Sequence, residues 1–124
     1  MTVIRHAETR RIETGSAVMT TLASPTQGGA GLALWRVEVA AAAAGPVHTI
    51  DADQILTVLA GTAIIDLDGT EHTVAEGDTI VLHADRTRRV TGGGAGFTAL
   101  VAAPAGALAR TTEGARPILP PWIA

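Results

Sequence analysis

Short extended runs separated by turn residues fill residues 32–102, and no helical pattern of useful length interrupts them. Leu32–Val39 alternates with period two, placing Trp35, Val37 and Val39 on one face and Leu34, Arg36 and Glu38 on the other. Ile55–Leu59, Ala63–Leu67, His72–Val74, Thr79–Leu82 and Phe97–Ala102 are further strand candidates, and residues 17–22 form a short one near the start. Asp68-Gly69 suits a two-residue hairpin turn inside Ile64–Val74, and Glu76-Gly77-Asp78 suits another tight turn. Alanines 40–44 favour helix, but Gly45-Pro46 stops it within about one turn, so a strand end and loop are expected there. Strands recurring at roughly eight to twelve residues predict an all-β sandwich or barrel. Residues 24–31 read as a loop. The glycine-rich stretch Gly92–Gly96 follows a strand but precedes no helix, which predicts a flexible turn and not a nucleotide loop. The prolines after Pro117 force an extended tail, with Trp122 clipped onto the barrel wall.

A length of 124 residues predicts one domain over 1–124, with strands over 1–40, a motif region over 45–101 and an extended tail over 104–124. At 47% hydrophobic residues it can build a core without staples. The chain has no cysteine, lysine or tyrosine, which excludes disulfides, thiolate metal sites, Schiff-base lysine and tyrosine acid–base chemistry. Chemistry must come from His6, His48, His72 and His83, from carboxylates, hydroxyls and arginines, or from a bound group. Net charge is −3, and Arg86, Arg88 and Arg89 make too short a basic patch for nucleic acid. No leader pattern and no apolar run near 18 residues is present, so a soluble cytoplasmic protein without a membrane partner is expected.

Two glycine-punctuated stretches then carry a family resemblance. Gln54 and Gly61 fit the last two slots of a first motif, Gly, five residues, His-x-His, three or four residues, Glu, six residues, Gly. Counting back places His48 in the first His slot and Ile50 in the second; Ala42 takes the opening Gly slot, with Gly45-Pro46 closer to the His. Gly77-Asp78 opens a second motif, in which His83 replaces a Pro, Asp85 a Gly, Arg88 a His and Gly92 an Asn. On these residues the chain resembles the cupin superfamily, and the resemblance implies a double-stranded β-helix, or jelly-roll barrel.

In metal-binding cupins the four slots converge on one divalent ion; here they are His48, Ile50, Gln54 and Arg88. Ile50 cannot ligate, and a guanidinium about 4 Å from a divalent ion would cost roughly 8 kcal/mol at an effective dielectric near 20. No metal and no cofactor is therefore expected, a divalent ion being the lesser alternative. Arg88 suits a carboxylate, phosphate or phenolate, or else pairs with Asp51 or Asp53 as structure. His48 can move a proton near neutral pH, or be a hydrogen-bonded pocket histidine only. Gln54 orients His48 or binds ligand. Trp35, Ile50, Leu56, Val58 and Phe97 are expected in the pocket wall; His83 is placed at the mouth, His72 and His6 in solvent. Three readings follow. The first is a redox-neutral proton-transfer enzyme (isomerase, cyclase or dehydratase) acting on a small anionic or phenolic metabolite. It would use His48 as base or acid, Arg88 as anchor and Gln54 as orienting group. The second is a metabolite-binding or sensor cupin; the third is a metal-dependent oxygenase or isomerase. Outward Ile55 and Leu59 favour a homodimer.

Overall fold

The computed structural model describes residues 2–111 and 116–124. After one 3-10 turn at His6–Glu8 come nine strands: β1 Arg10–Glu13, β2 Ala17–Ala23, β3 Leu32–Val39, β4 His48–Ile50, β5 Gln54–Leu67, β6 Thr70–Ala75, β7 Thr79–Leu82, β8 Arg88–Pro104 and β9 Ala109–Thr111. All pair antiparallel in the order β1-β2-β3-β8-β4-β9, with β5 joining β8 to β6 and β7. The all-β barrel expectation holds. No described helix is long and apolar enough to cross a membrane.

Two of the short runs read from the sequence merge into long bent strands. Ile55–Leu59 and Ala63–Leu67 are one strand, β5, with register shifts at Val58/Ala60 and Gly61/Ala63. Gly92–Gly96 is not a turn but the middle of β8. The reason is close packing. A Cβ at Gly61 would overlap the Gly96 carbonyl oxygen, one at Gly92 the Ala40 carbonyl, and one at Gly93 would sit 2.8 Å from the Thr62 oxygen. Gly61 and Gly96 also adopt positive φ of 77° and 71°, which other residues reach only with strain. Ladder pairing thus continues through a bend that lets β8 serve two layers. Its Phe97–Pro104 half pairs with β3, while both halves pair with β5.

The Asp68-Gly69 turn forms as read, with positive φ at both residues and Gly69 N–H donating to Asp66 Oδ1 at 2.8 Å. On β3 the alternation is kept: Trp35, Val37 and Val39 are buried while Leu32 and Leu34 are exposed. They join Ile50, Leu56, Ile65, Val101 and others in one core, each fully buried aliphatic stabilising by about 1.5–3 kcal/mol. The tail returns across this core. Ile118 bridges Ala109, Ile123 is fully buried, and Thr21 Oγ1 donates to the Trp122 carbonyl at 2.8 Å. The part of the expected tail at 112–115 lies outside the described residues.

Candidate functional site

The inward faces enclose a cavity of about 540 Å³. Strand register places its chemistry. His48 on β4 lies directly across from Arg88 on β8, and antiparallel partners send their side chains to the same face. Ile50, two residues on, points the same way, and Gln54 opens β5 beside them. All four residues line the cavity.

Arg88 is 1% exposed. Its Nη2 donates to the carbonyls of His83 at 2.7 Å and Arg86 at 3.1 Å, and its Nε donates to the Arg86 carbonyl at 3.2 Å. Nη1 donates to Gln54 Oε1 at 3.3 Å. Four of the five guanidinium N–H groups are thereby used, leaving one on Nη1. No carboxylate of a described residue comes within 4.0 Å of this cation. Burial lowers its pKa, and the more distant Asp68, Asp85 and Asp53 oppose that. A guanidinium still remains charged in a protein. The cavity therefore ends on a buried positive charge to which no carboxylate among the described residues is paired.

His48 is half-buried, and its Nδ1 meets the Pro46 carbonyl at 2.9 Å. A carbonyl can only accept, so Nδ1 carries the proton and Nε2 is the basic nitrogen of the neutral ring. Burial lowers the imidazole pKa below 6.5; the Pro46 hydrogen bond raises it, and the Arg88 charge lowers it again. At neutral pH His48 is an uncharged base beside a fixed cation.

The other expectations sort by register. Asp51 and Asp53 do not pair with Arg88. Asp51 Oδ1 accepts from Leu108 N–H at 2.7 Å and Asp53 Oδ1 from Ala84 N–H at 2.8 Å, so both carboxylates tie loops. Arg89 is exposed and donates to the Gly45 carbonyl at 3.0 Å, while Arg86 pairs with Asp68, whose carboxyl it holds below the usual range. His83 is exposed with its ring 3.7 Å from Asp53, and His72 and His6 are exposed. Trp35, Ile50 and Leu56 line the cavity. Val58 and Phe97 do not: Val58 is packed into the core, and Phe97 borders a separate depression of about 390 Å³ with Gly61 and Gly96. Both keep the inward face, Val58 in register with Leu56 and Phe97 with Val101, but they lie farther along their strands, in the core beyond the cavity. Sequence reasoning missed Met19, Ile118 and Pro120 as lining residues and placed Trp122 on the wall without assigning it to the cavity. The pairing of Ala109 with Ile118, which carries the tail over the opening, leaves no local sequence signal.

The donor set does not fit a divalent cation. Of the four slots, one is an alkyl side chain, one is a guanidinium, and the Gln54 carbonyl oxygen is already occupied by that guanidinium. No group of three or more His, Cys, Asp or Glu able to hold a metal exists among the described residues.

No family model and no curated protein sequence matches this chain. Solved structures do resemble it. A variant of oxalate decarboxylase from Bacillus subtilis superposes with a TM-score of 0.72 at 12% identity, over 79% of this chain and 28% of that one. This chain thus spans little more than a quarter of that enzyme. KdgF from Halomonas sp. gives 0.70 at 16% identity over 91% of this chain and 97% of its own. An RmlC-like cupin from Shewanella frigidimarina gives 0.71 at 17% identity over 84% and 91%. The shared element is the cupin jelly-roll barrel.

Proposed function

We propose that this cupin-fold chain, acting as a single domain, binds a small anionic or phenolic metabolite in its barrel and catalyses redox-neutral proton transfer on it. The observation that carries the reading is the buried Arg88 charge, which lacks an ion-pair partner among the described residues and faces a cavity beside a neutral imidazole. A ligand anion would supply the missing counter-charge at the open Nη1 N–H. His48 Nε2 would then accept a proton from the ligand carbon or hydroxyl next to the anionic group. Arg88 would stabilise the enolate or oxyanion that develops. An imidazolium beside Arg88 is unfavourable, so the proton is held briefly and returned to a different atom. Return to a different carbon gives isomerisation. Attack of a deprotonated hydroxyl on an activated C=C of the same ligand, with the π electrons taking the proton at carbon, gives cyclisation. Return to a departing hydroxyl, as the C–O bond breaks and C=C forms, gives dehydration, and in each case electrons balance without an oxidant. Gln54, whose Oε1 accepts from Arg88, is the positioning residue of this pair. We read the donor set as working without a divalent metal, and the protein as cytoplasmic.

A binding module without chemistry would use the same cavity, with His48 as hydrogen-bonding group only. Proton NMR of carboxylates and phenolates in D2O separates the two. The expected result is catalytic exchange of hydrogen for deuterium beside the anionic group, abolished in His48→Ala. Exchange that persists in His48→Ala would remove the base assignment, and binding without any exchange would favour the module.

We extend the proposal to a homodimer. Val81, Ile55, Ala102 and Leu34 lie in one registered row across β7, β5, β8 and β3. Leu34, Ile55 and Val81 are exposed in it, with Leu59 further along β5, and a sheet face can cover itself through a two-fold axis.

A further inference from the structure

The cavity states more about its ligand than charge. Its deep wall is apolar: Trp35, Val37, Ile50, Leu56, Val101 and Trp122 face inward. Of the hydroxyl side chains on the lining, Thr14 and Thr111 lie in exposed positions and Ser16, like His48, is half-buried. Backbone groups of the wall strands are engaged in ladders. Apart from these hydroxyls, the lining side chains able to hydrogen-bond are His48, Gln54 and Arg88, clustered at one spot, and the indole N–H groups of Trp35 and Trp122, which only donate. A ligand carrying hydroxyls around its body would leave them unpaired against the apolar wall, each costing roughly tenfold in affinity. A doubly charged group would meet one cation with one N–H to spare.

Resting on the proposed anion-binding reading, we infer that the ligand class is a singly charged carboxylic acid with an apolar, hydroxyl-poor body, held between the Arg88 end and a wall that includes the tail residue Trp122. Sugar acids and phosphate esters are selected against by the same geometry. The volume of about 540 Å³ lies within the usual range for small-molecule sites and admits a ring with a short side arm.

The chain has two tryptophans and no tyrosine, and both tryptophans line this cavity, so intrinsic fluorescence reports the site directly. Titration of the intact wild-type chain would use four probes sharing one ring: cyclohexanecarboxylate, its polyhydroxylated analogue quinate, cyclohexyl phosphate and cyclohexylmethanol. Cyclohexanecarboxylate is expected to give a saturable change, with quinate and cyclohexyl phosphate at least roughly tenfold weaker. Quinate or the phosphate binding as tightly as the carboxylate overturns the ligand class and leaves anion binding standing. The neutral alcohol binding as tightly as the carboxylate overturns anion binding itself. Silence toward cyclohexanecarboxylate overturns the class as well, and silence toward all three anions overturns both.

Discussion

Replacing Arg88 with methionine keeps an unbranched apolar stem of shorter reach and removes the charge, and its effect can be worked through. The unliganded variant gains by not burying a cation and loses donors to the His83 and Arg86 carbonyls, opposing effects of several kcal/mol each. Stability without ligand is therefore a poor readout; the ligand-induced increment is the informative one. With cyclohexanecarboxylate at a hundred times its wild-type Kd, binding stabilises the fold by about 2.7 kcal/mol. At about 4 °C per kcal/mol for a domain of this size, Tm rises by about 11 °C. One hydrogen bond to a charged group contributes about 1.5–3 kcal/mol, so losing the open Nη1 donor weakens binding roughly 10- to 150-fold. The same ligand concentration then stabilises Arg88→Met by about 0.3–1.3 kcal/mol, a rise of about 1–5 °C. Thermal melts of both proteins with and without the acid measure the difference. An undiminished increment in Arg88→Met would refute the assignment of the buried cation as the anion receptor.

Three further outcomes are expected. Because His48 must be neutral to act as a base and its pKa lies below 6.5, kcat/KM for any proton transfer should rise with pH through a midpoint below 6.5 and be flat by pH 7; a rate falling over that range contradicts the mechanism. The same lowered pKa means that the unfolded chain binds more protons, so His48 contributes a penalty that is full below its folded pKa and absent above 6.5; NMR titration of the ring locates that window. Gly61→Ala places a Cβ against the Gly96 carbonyl at a positive φ and should cost about 3 kcal/mol or more in denaturant unfolding, whereas Gly15→Ala, with nothing within 4 Å, should cost under about 1 kcal/mol; similar values would mean that the bulge relaxes freely. Ile55→Glu in the exposed row should convert a dimer to a monomer in sedimentation with the cavity's binding retained; an unchanged sedimentation coefficient argues against pairing through this face.

Much of the barrel was legible because its signals are local. Period two on Leu32–Val39 decides which side chains face inward whatever the strand pairs with, and Asp68-Gly69 closes a hairpin by its own backbone preferences. The slots of the two motifs likewise gathered His48, Ile50, Gln54 and Arg88 around one cavity. The misplacements share a cause. Gly92–Gly96 was read as a turn because glycine in isolation signals flexibility; here Gly92, Gly93 and Gly96 let β8 pass close against the Val39–Ala40 and Thr62 backbones as a continuous strand. Val58 and Phe97 face inward as period two requires, but how far the cavity extends along each strand depends on packing between distant strands, which period two does not report.

By itself the sequence determined an all-β chain with inward and outward faces, and it excluded whole classes of chemistry by lacking lysine, tyrosine and cysteine. Tertiary structure decided which arginine is buried, that its donors go to His83, Arg86 and Gln54 instead of Asp51 or Asp53, and that the tail brings Trp122 onto the cavity. The division is physical. Face and turn depend on neighbours one or two residues away, while a buried charge is defined by which groups from other strands reach it and which do not.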